Sequence, residues 1–207
     1  METKKYSLAA RIFLCAGKLP GLTSGLSFYQ APTGEKVNAR NLTRFLMIAT
    51  LNRLLEEKKI SMKEAEKKAL VGGSLPILTF SRLSKEAIGF SSLILEKLEK
   101  EKDLIQLTKD LIGGRYQLPE NRILYLIKQE LEPAGLSEEV EIKRFLGRKK
   151  IEKHWRLEKI QPLVEEFLPE IKKAWSQVQK LSWKNTADRN LNFGFSFSQK
   201  SIDRDDN

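Results

Sequence analysis

Apolar residues recur along this chain with the spacing of amphipathic helices. The clearest stripe runs from Leu157 to about Lys180, where an apolar residue returns every three or four positions. Shorter stripes predict helices over residues 41–57, 85–100 and 103–112. The last of these stops at Gly113 and Gly114, a common signal for a helix C-terminus. These stripes predict a mainly α fold.

Local signals mark further helix starts. Pro119 suits the first position of a helix, because the N–H group of that position has no helical partner. Ser61 and Glu64 have the spacing of a capping box, which predicts another start. The apolar run within residues 4–17 is interrupted by Arg11, so it is interpreted as a buried first helix and not as a signal peptide.

Alternating apolar positions predict the extended segments. Residues 69–80 are interpreted as two short extended pieces around a glycine pair. The predicted architecture is a single helical domain over residues 1–184, containing a basic β-hairpin at about 139–157. The tail, residues 185–207, alternates in a way that predicts a short strand over 191–198.

The charge balance points to polyanionic partners. Of 207 residues, 37 are Lys or Arg and 27 are Asp or Glu, which gives a formal net charge of +10. No apolar run approaches the ~20 residues that a membrane-spanning helix needs. Cys15 is the single cysteine, so no internal disulfide can form, which fits a reducing compartment. The expected location is cytoplasmic, peripheral on a membrane.

The predicted hairpin concentrates positive charge. Between Arg144 and Leu157 the sequence holds six Lys or Arg residues and one acid, Glu152. Apolar side chains stand among these cations, so charge attraction and shallow insertion could act together on an anionic membrane. The candidate membrane-contacting residues of the hairpin are Arg144, Phe145, Leu146, Arg148, Lys149, Lys150 and Trp155.

No constellation of catalytic residues can be assembled from the sequence. The single histidine, His154, is flanked by basic and aromatic residues and is interpreted as a surface residue of the hairpin. Cys15 has the character of a small buried apolar residue. The glycine pairs lack the flanking residues of a phosphate-binding loop. We therefore expect no enzymatic activity, no metal site and no cofactor.

Six segments carry a family resemblance through their order and spacing. They are SLAARIFLCA, SFYQ, LTRFLMIATLNRLLEEKKIS, LILEKLEKEKDLIQLTKDLIGG, RYQLPENRILYLIKQELEPAGL and SEEVEIKRFLGRKKIEKHWRL. In this order, over about residues 6–176, the chain resembles a divergent, C-terminally shortened member of the Golgi phosphoprotein 3 family. Eukaryotic members of that family bind phosphatidylinositol 4-phosphate on Golgi membranes.

The resemblance implies a mainly helical fold, a hairpin that helps self-association, and a shallow basic pocket for a phosphorylated inositol headgroup. Carried over by position, the pocket residues are Tyr29 and Arg44, with Arg40 as the alternative to Arg44, and Arg122. Arginine suits phosphate because its planar fork binds two oxygens at once. Pro119 stands where the family has its first pocket arginine. A cargo-adaptor role, as in eukaryotic relatives, would be an added step.

Three functional hypotheses follow. The first is a peripheral membrane protein that binds anionic lipid through the basic pocket and hairpin. The second is a nucleic-acid-binding protein of winged-helix-like type, with helix 41–57 followed by the extended pieces of 69–80 as a wing. The third is a self-assembling subunit, forming a homo-oligomer through the hairpin or through a C-terminal strand carrying Phe193, Phe195 and Phe197.

Overall fold

The computed structural model describes residues 6–22, 28–68, 74–143 and 149–199, and it combines helices with three small antiparallel sheets. Within these ranges there are seven α-helices and seven strands. The prediction of a mainly α fold with one hairpin is therefore wrong, and the fold is mixed α and β. The elements are α1 (Leu8–Cys15), β1 (Phe28–Gln30), β2 (Lys36–Asn38), α2 (Ala39–Glu56), β3 (Ile60–Lys68), β4 (Ser74–Arg82), α3 (Gly89–Lys97), β5 (Lys102–Asp103), α4 (Leu104–Ile112), α5 (Pro119–Leu131), β6 (Ser137–Lys143), β7 (Lys149–Trp155), α6 (Leu157–Gln179) and α7 (Lys184–Ser198).

Helix α1 lies at the centre of the core, packed against α2, α3, α5 and α6. Six of its eight residues are buried, as expected for a helix that is apolar nearly all round. The Ser7 hydroxyl caps it by accepting the Ala10 N–H at 3.2 Å. The prediction of a buried first helix is confirmed.

Helices α2, α4 and α5 begin and end close to their predicted limits. The Asn38 side chain caps α2 by accepting the Asn41 N–H at 2.8 Å. Helix α4 stops at Gly113, which adopts φ +72°, a conformation that favours glycine. Pro119 is the first residue of α5, as predicted. Helix α6 also matches its stripe and continues through Pro162 and Pro169 without a restart.

Strand β3 replaces the predicted helix start at Ser61 and Glu64. It pairs antiparallel with β4 along its whole length. The capping-box prediction is wrong because no apolar stripe follows Glu64, so a helix there would have no face to bury. Pairing with β4 is favoured instead, since Leu78 and Phe80 of β4 are fully buried. Residues 69–73, part of the predicted extended pieces, lie outside the described residues.

Helix α7 occupies the segment where a strand was predicted over 191–198. Its buried positions have helical spacing: Ala187, Asn190, Leu191, Gly194, Phe195 and Ser198. Gly194 allows close contact with α4, because a Cβ at this position would lie 2.7 Å from the Thr108 Cβ. The prediction of a strand over 191–198 is wrong, because this segment is helical, and self-association of the chain stays a prediction. Through Leu191 and Phe195 the predicted tail belongs to the main core.

Asn190 ties α7 to β4. Its amide donates to the Pro76 carbonyl at 3.0 Å and accepts the Leu78 N–H at 2.9 Å. These are the groups that β4 would offer to another strand on the side away from β3. Pro76 is tolerated within the strand because the donor it lacks would face α7 and not β3. One side chain thus continues the hydrogen bonding of the sheet.

Strands β6 and β7 form the second long hairpin, confirming the prediction at 139–157 with limits about two residues earlier. Their register runs from Ser137 opposite Trp155 to Lys143 opposite Lys149. The connecting residues 144–148 lie outside the described residues. At the base of the hairpin, Trp155 is half-buried, with its ring centroid 5.9 Å from that of Phe13. The hairpin is therefore held to the core at its base.

Candidate anion-binding site

The starts of α2 and α5 meet at one end of the molecule. Arg40, in the first turn of α2, forms an ion pair with Glu120, in the first turn of α5. Arg44 lies one turn further along α2 on the same side. Arg122 lies two residues after Glu120. Arg40 and Arg44 thus share one side of α2, whereas Arg122 leaves α5 about 200° round the helix from Glu120. We call these three residues, which lie in the first two turns of α2 and α5, the arginine cluster.

Helix starts add positive potential to this junction. The first N–H groups of a helix have no helical partners, and the helix dipole is positive at this end. The Asn38 side chain takes up one of these donors in α2. The start of α5 has no side-chain cap, because Leu118 stands at the capping position. The Glu120 carboxylate suits this place, since a negative charge is favoured in a first helical turn.

Glu120 already engages Arg40. Its side chain is only 2% exposed, although Arg40 remains partly exposed. One carboxylate oxygen of Glu120 has no hydrogen-bond partner among the described residues. A phosphate group would therefore have to compete with a buried carboxylate for Arg40. This makes Arg40 a weaker candidate ligand than the other two arginines.

Arg44 and Arg122 are held more loosely. Arg44 donates to the Asn41 side chain, and its Nε lies 3.9 Å from a carboxylate oxygen of Asp188 in α7. Asp188 also accepts from Lys184 at 2.7 Å. The Arg122 guanidinium lies over the Tyr125 ring, 5.2 Å from its centroid. No described carboxylate forms an ion pair with Arg122, and its Nε is buried without a hydrogen-bond partner among the described residues.

Phe28 and Tyr29 point to opposite sides of β1, as successive strand residues do. The Tyr29 ring lies 5.8 Å from the Phe13 ring, and burial raises the pKa of its hydroxyl. Phe28 is 51% exposed and stands opposite Asn38, the residue that caps α2. Phe28 is thus an exposed aromatic beside the start of α2, which strand alternation could have identified. The assignment of Tyr29 to a headgroup pocket stays a prediction.

The predicted hairpin contacts fall into three groups. Four of them, Arg144, Phe145, Leu146 and Arg148, lie outside the described residues. Lys149 and Lys150 begin β7.

The sequence predicted Trp155 as a membrane-contacting residue of the hairpin, and the structure places it at the base, opposite Ser137. There its ring contacts Phe13 and the Lys128 ammonium, which is 5.3 Å from the ring centroid. A ring held in this way contributes to the core.

Two clefts lie away from the arginine cluster. A groove of about 790 Å³ runs between α4, the end of α3 and the end of α7. A cleft of about 1010 Å³ lies between α1, the second half of α2 and α6. Neither is lined by an arginine of the cluster. These two clefts and the arginine cluster are therefore separate features of the molecule.

Across residues 6–22, 28–68, 74–143 and 149–199, no three His, Cys, Asp or Glu residues are grouped as a metal site. None of the helices in those ranges has the length and apolarity to cross a membrane.

Comparisons with family models, curated proteins and solved structures gave no match for this chain. The resemblance to the Golgi phosphoprotein 3 family therefore stays a prediction from the sequence. Function has to be inferred from the arginine cluster and the surfaces around it.

Proposed function

We propose that this chain is a peripheral membrane protein that binds an anionic lipid surface through the arginine cluster. The observation that carries the proposal is the pairing of cations with exposed apolar side chains at one end. Phe28 adjoins the start of α2, and Leu118, 48% exposed, directly precedes α5. Cations with neighbouring apolar anchors match the headgroup boundary of a bilayer, where charge faces phosphate and apolar groups enter below it.

The expected energies are sufficient for reversible binding. Each Lys or Arg near an anionic leaflet contributes about 1 kcal/mol, and the attraction weakens as salt is raised. A formal net charge of +10 adds a general attraction that brings the protein to the surface.

More specifically, we propose that the bound lipid carries a phosphorylated inositol headgroup. The sequence resemblance supports this ligand, and we assign its phosphate to Arg44 and Arg122, because Arg40 is already paired with Glu120. Arginine presents two parallel N–H donors to phosphate oxygens, which favours a phosphomonoester over the single charge of a phosphatidylserine headgroup. An adaptor role would require a protein partner in addition.

Liposome flotation tests the proposal. Vesicles of phosphatidylcholine alone, with phosphatidylserine, or with phosphatidylinositol 4-phosphate are compared at two salt concentrations. We expect flotation with both anionic mixtures at low salt and none with phosphatidylcholine alone. In Arg44→Gln/Arg122→Gln, the loss of two contacts should weaken binding by about 2 kcal/mol, or roughly 30-fold.

A control variant loses the same charge elsewhere. Lys63 and Lys67 of β3 are well exposed and pair with acids only at 3.5 Å, so Lys63→Gln/Lys67→Gln should leave the fold intact. If both double variants weaken binding equally, the net charge binds the membrane and the arginine cluster has no special role. An absence of flotation at low salt would refute the proposal.

Nucleic-acid binding is a second candidate, favoured by one observation. Helices α4 and α5 pack together, are joined by residues 113–118, and are followed by the β6–β7 hairpin, which is the element order of a helix-turn-helix with a wing. The short strand β5 pairs with β4 and not with the hairpin, so the sheet of a winged helix is not formed. Binding of labelled duplex DNA and RNA at the same two salt concentrations would distinguish the candidates.

A further inference from the structure

A second group of exposed apolar side chains lies beyond the arginine cluster. It consists of Tyr116, Leu118, Phe193 and Phe197, and we call it the apolar strip. All four are substantially exposed, Phe197 the most at 61%. Phe193 and Phe197 are one turn apart on the outer face of α7. The Tyr116 N–H donates to the Ser198 carbonyl at 2.9 Å, which joins the segment before α5 to the end of α7.

Packing of α7 does not require these phenylalanines. The inward face of the helix is complete with Leu191 and Phe195, which are fully buried, and with Asn190 bonded to β4. Phe193 and Phe197 lie outside that buried face. Two exposed aromatic rings in neighbouring turns, with Tyr116 joined by its backbone to Ser198 next to Phe197, form a patch of the kind that marks an interaction site.

Cations surround the strip. The Lys109 ammonium lies over the Phe197 ring, 5.5 Å from its centroid. Arg115 lines the groove beside Phe197 and directly precedes Tyr116 in the chain. Arg189 is exposed on the outer face of α7, one turn before Phe193. Aromatic rings bordered by Lys and Arg are the pattern of a helix that lies in a membrane interface.

Two acids near the apolar strip, Asp110 and Glu96, already bind other residues. Asp110 accepts from Lys102 and, at 2.6 Å, from the Gln106 amide. Glu96 pairs with Lys97 at 3.7 Å. Glu99 lines the same groove. Cations therefore flank the apolar side chains directly, and this charge pattern complements an anionic lipid surface.

We infer that the apolar strip inserts into the headgroup region of the anionic membrane that the arginine cluster binds. The inference rests on the proposed function and adds a second, hydrophobic contact to it. Leu118 connects the two areas, because it stands two residues after Tyr116 and directly before Pro119. Binding then has a part that salt screens and a part, from Phe193 and Phe197, that salt does not screen.

Two serines provide matched positions for a fluorescent probe. Ser196 lies on the outer face of α7 and donates to the Asn192 carbonyl at 2.9 Å. Ser176 lies on α6, which packs against α1 and α2, and donates in the same way to Lys172 at 3.1 Å. Each is exposed, so Ser196→Cys and Ser176→Cys are near-isosteric sites for an environment-sensitive nitrobenzoxadiazole label.

The natural cysteine should not take up the label. Cys15 is buried, and burial, with a smaller contribution from the Glu170 carboxylate, raises the pKa of its thiol to about 12. Very little thiolate is then present at pH 7.5, so the native protein should react only at the introduced cysteine.

The labelled full-length proteins are mixed with phosphatidylcholine–phosphatidylserine vesicles at low salt. We expect the label at position 196 to brighten, and to be quenched by lipids with a nitroxide near the headgroup, whereas the label at position 176 changes little. In unlabelled protein, Phe193→Ser/Phe197→Ser should still float at low salt but lose at least about tenfold of its binding at high salt. Circular dichroism checks that this variant is folded.

The outcomes separate this inference from the proposed function. If the protein floats but the fluorescence of the label at position 196 does not change, insertion of the strip is overturned and the arginine cluster remains the membrane site. A lipid response at position 196 with no effect of Arg44→Gln/Arg122→Gln would support the strip and refute the cluster. Brightening without vesicles that grows with protein concentration would assign the strip to contact between two copies of this chain, and would also overturn the inference.

Discussion

The molecule contains two long antiparallel hairpins that differ in how they are supported. The β3–β4 hairpin lies against the core, with Leu78 and Phe80 buried, and β4 is bonded on its second side by β5 and by Asn190. Strands β6 and β7 are bonded only to each other among the described strands. Their contact with the core is at the base, through Trp155.

This difference shows that strand pairing and anchoring are separate properties. Both hairpins are paired over seven or more residues, and β4 has hydrogen bonds on both sides, with Ile77, Leu78 and Phe80 buried. A strand anchored in this way can open only when α7 leaves. Strands β6 and β7 have no further strand beside them among the described residues, so we expect this hairpin to open locally more readily than β3–β4.

The largest expected effect follows from removing the link between α7 and β4. Asn190→Ala leaves the Leu78 N–H and the Pro76 carbonyl without partners in a buried place. Each unpaired buried group costs about 1–3 kcal/mol, so we expect a loss of about 2–4 kcal/mol in the free energy of unfolding. Urea unfolding measures it. Asn185→Ala, at an exposed position of the same helix, is the control, and equal losses in the two variants would contradict the role of Asn190.

An intermediate effect is expected at the base of the second hairpin. Trp155→Ala removes the ring from Phe13 and from the Lys128 ammonium. Because Trp155 is only half-buried, we expect a loss of about 1–2 kcal/mol, less than for a fully buried tryptophan. Hydrogen exchange should rise in β6 and β7 and stay unchanged in β4. Equal increases in both hairpins would show that they open together, and Leu157→Ala, at an exposed site, provides the comparison.

The smallest effect concerns an exposed pair on the second hairpin. The Lys153 side chain donates to the Glu132 carboxylate at 2.8 Å, and this hydrogen bond lowers the pKa of Glu132. A carboxyl whose pKa is lowered by folding stabilises the protein above its unfolded pKa, and loses that effect as pH falls through the folded pKa. In Lys153→Gln, NMR titration should find the Glu132 pKa closer to its ordinary value. The urea midpoint should hardly move, because an exposed ion pair contributes little to stability. A large shift of the midpoint would contradict the view that this pair is exposed.

The parts of the fold that were predictable from sequence are those with short-range causes. The stripe of α6 repeats within a single element, so its extent was apparent without knowledge of a partner. The limits of α4 and α5 follow from Gly113 and Pro119, whose backbone preferences act locally.

Helix α7 was predicted as a strand because its partner is distant in sequence. Leu191, Phe193, Phe195 and Phe197 alternate, which is typical of a strand with one apolar face. The buried stripe is completed by small and polar residues, including Gly194, which have little weight in a count of apolar positions. Contact with Thr108 of α4 decides the conformation, and such a long-range contact overrides local preference.

The candidate site was predictable only in part for a similar reason. The sequence resemblance selected Arg40, Arg44 and Arg122, and the structure places Arg40 at the junction of α2 and α5, where it pairs with Glu120. The resemblance could not show that Arg40 would form an ion pair with Glu120, which is 80 positions away in the sequence. The exposed Phe28 was not predicted, because the resemblance assigned the aromatic position to Tyr29, the residue next to it.

The amide of Asn190 also bears on how this protein behaves in a crowded cell. Beyond the two residues paired with β5, the side of β4 away from β3 offers backbone donors and acceptors that a strand of another molecule could bind. Asn190 occupies the groups at Pro76 and Leu78, and α7 covers that side of the strand. Loss of this amide would thus promote intermolecular β-sheet growth and aggregation, in addition to lowering stability.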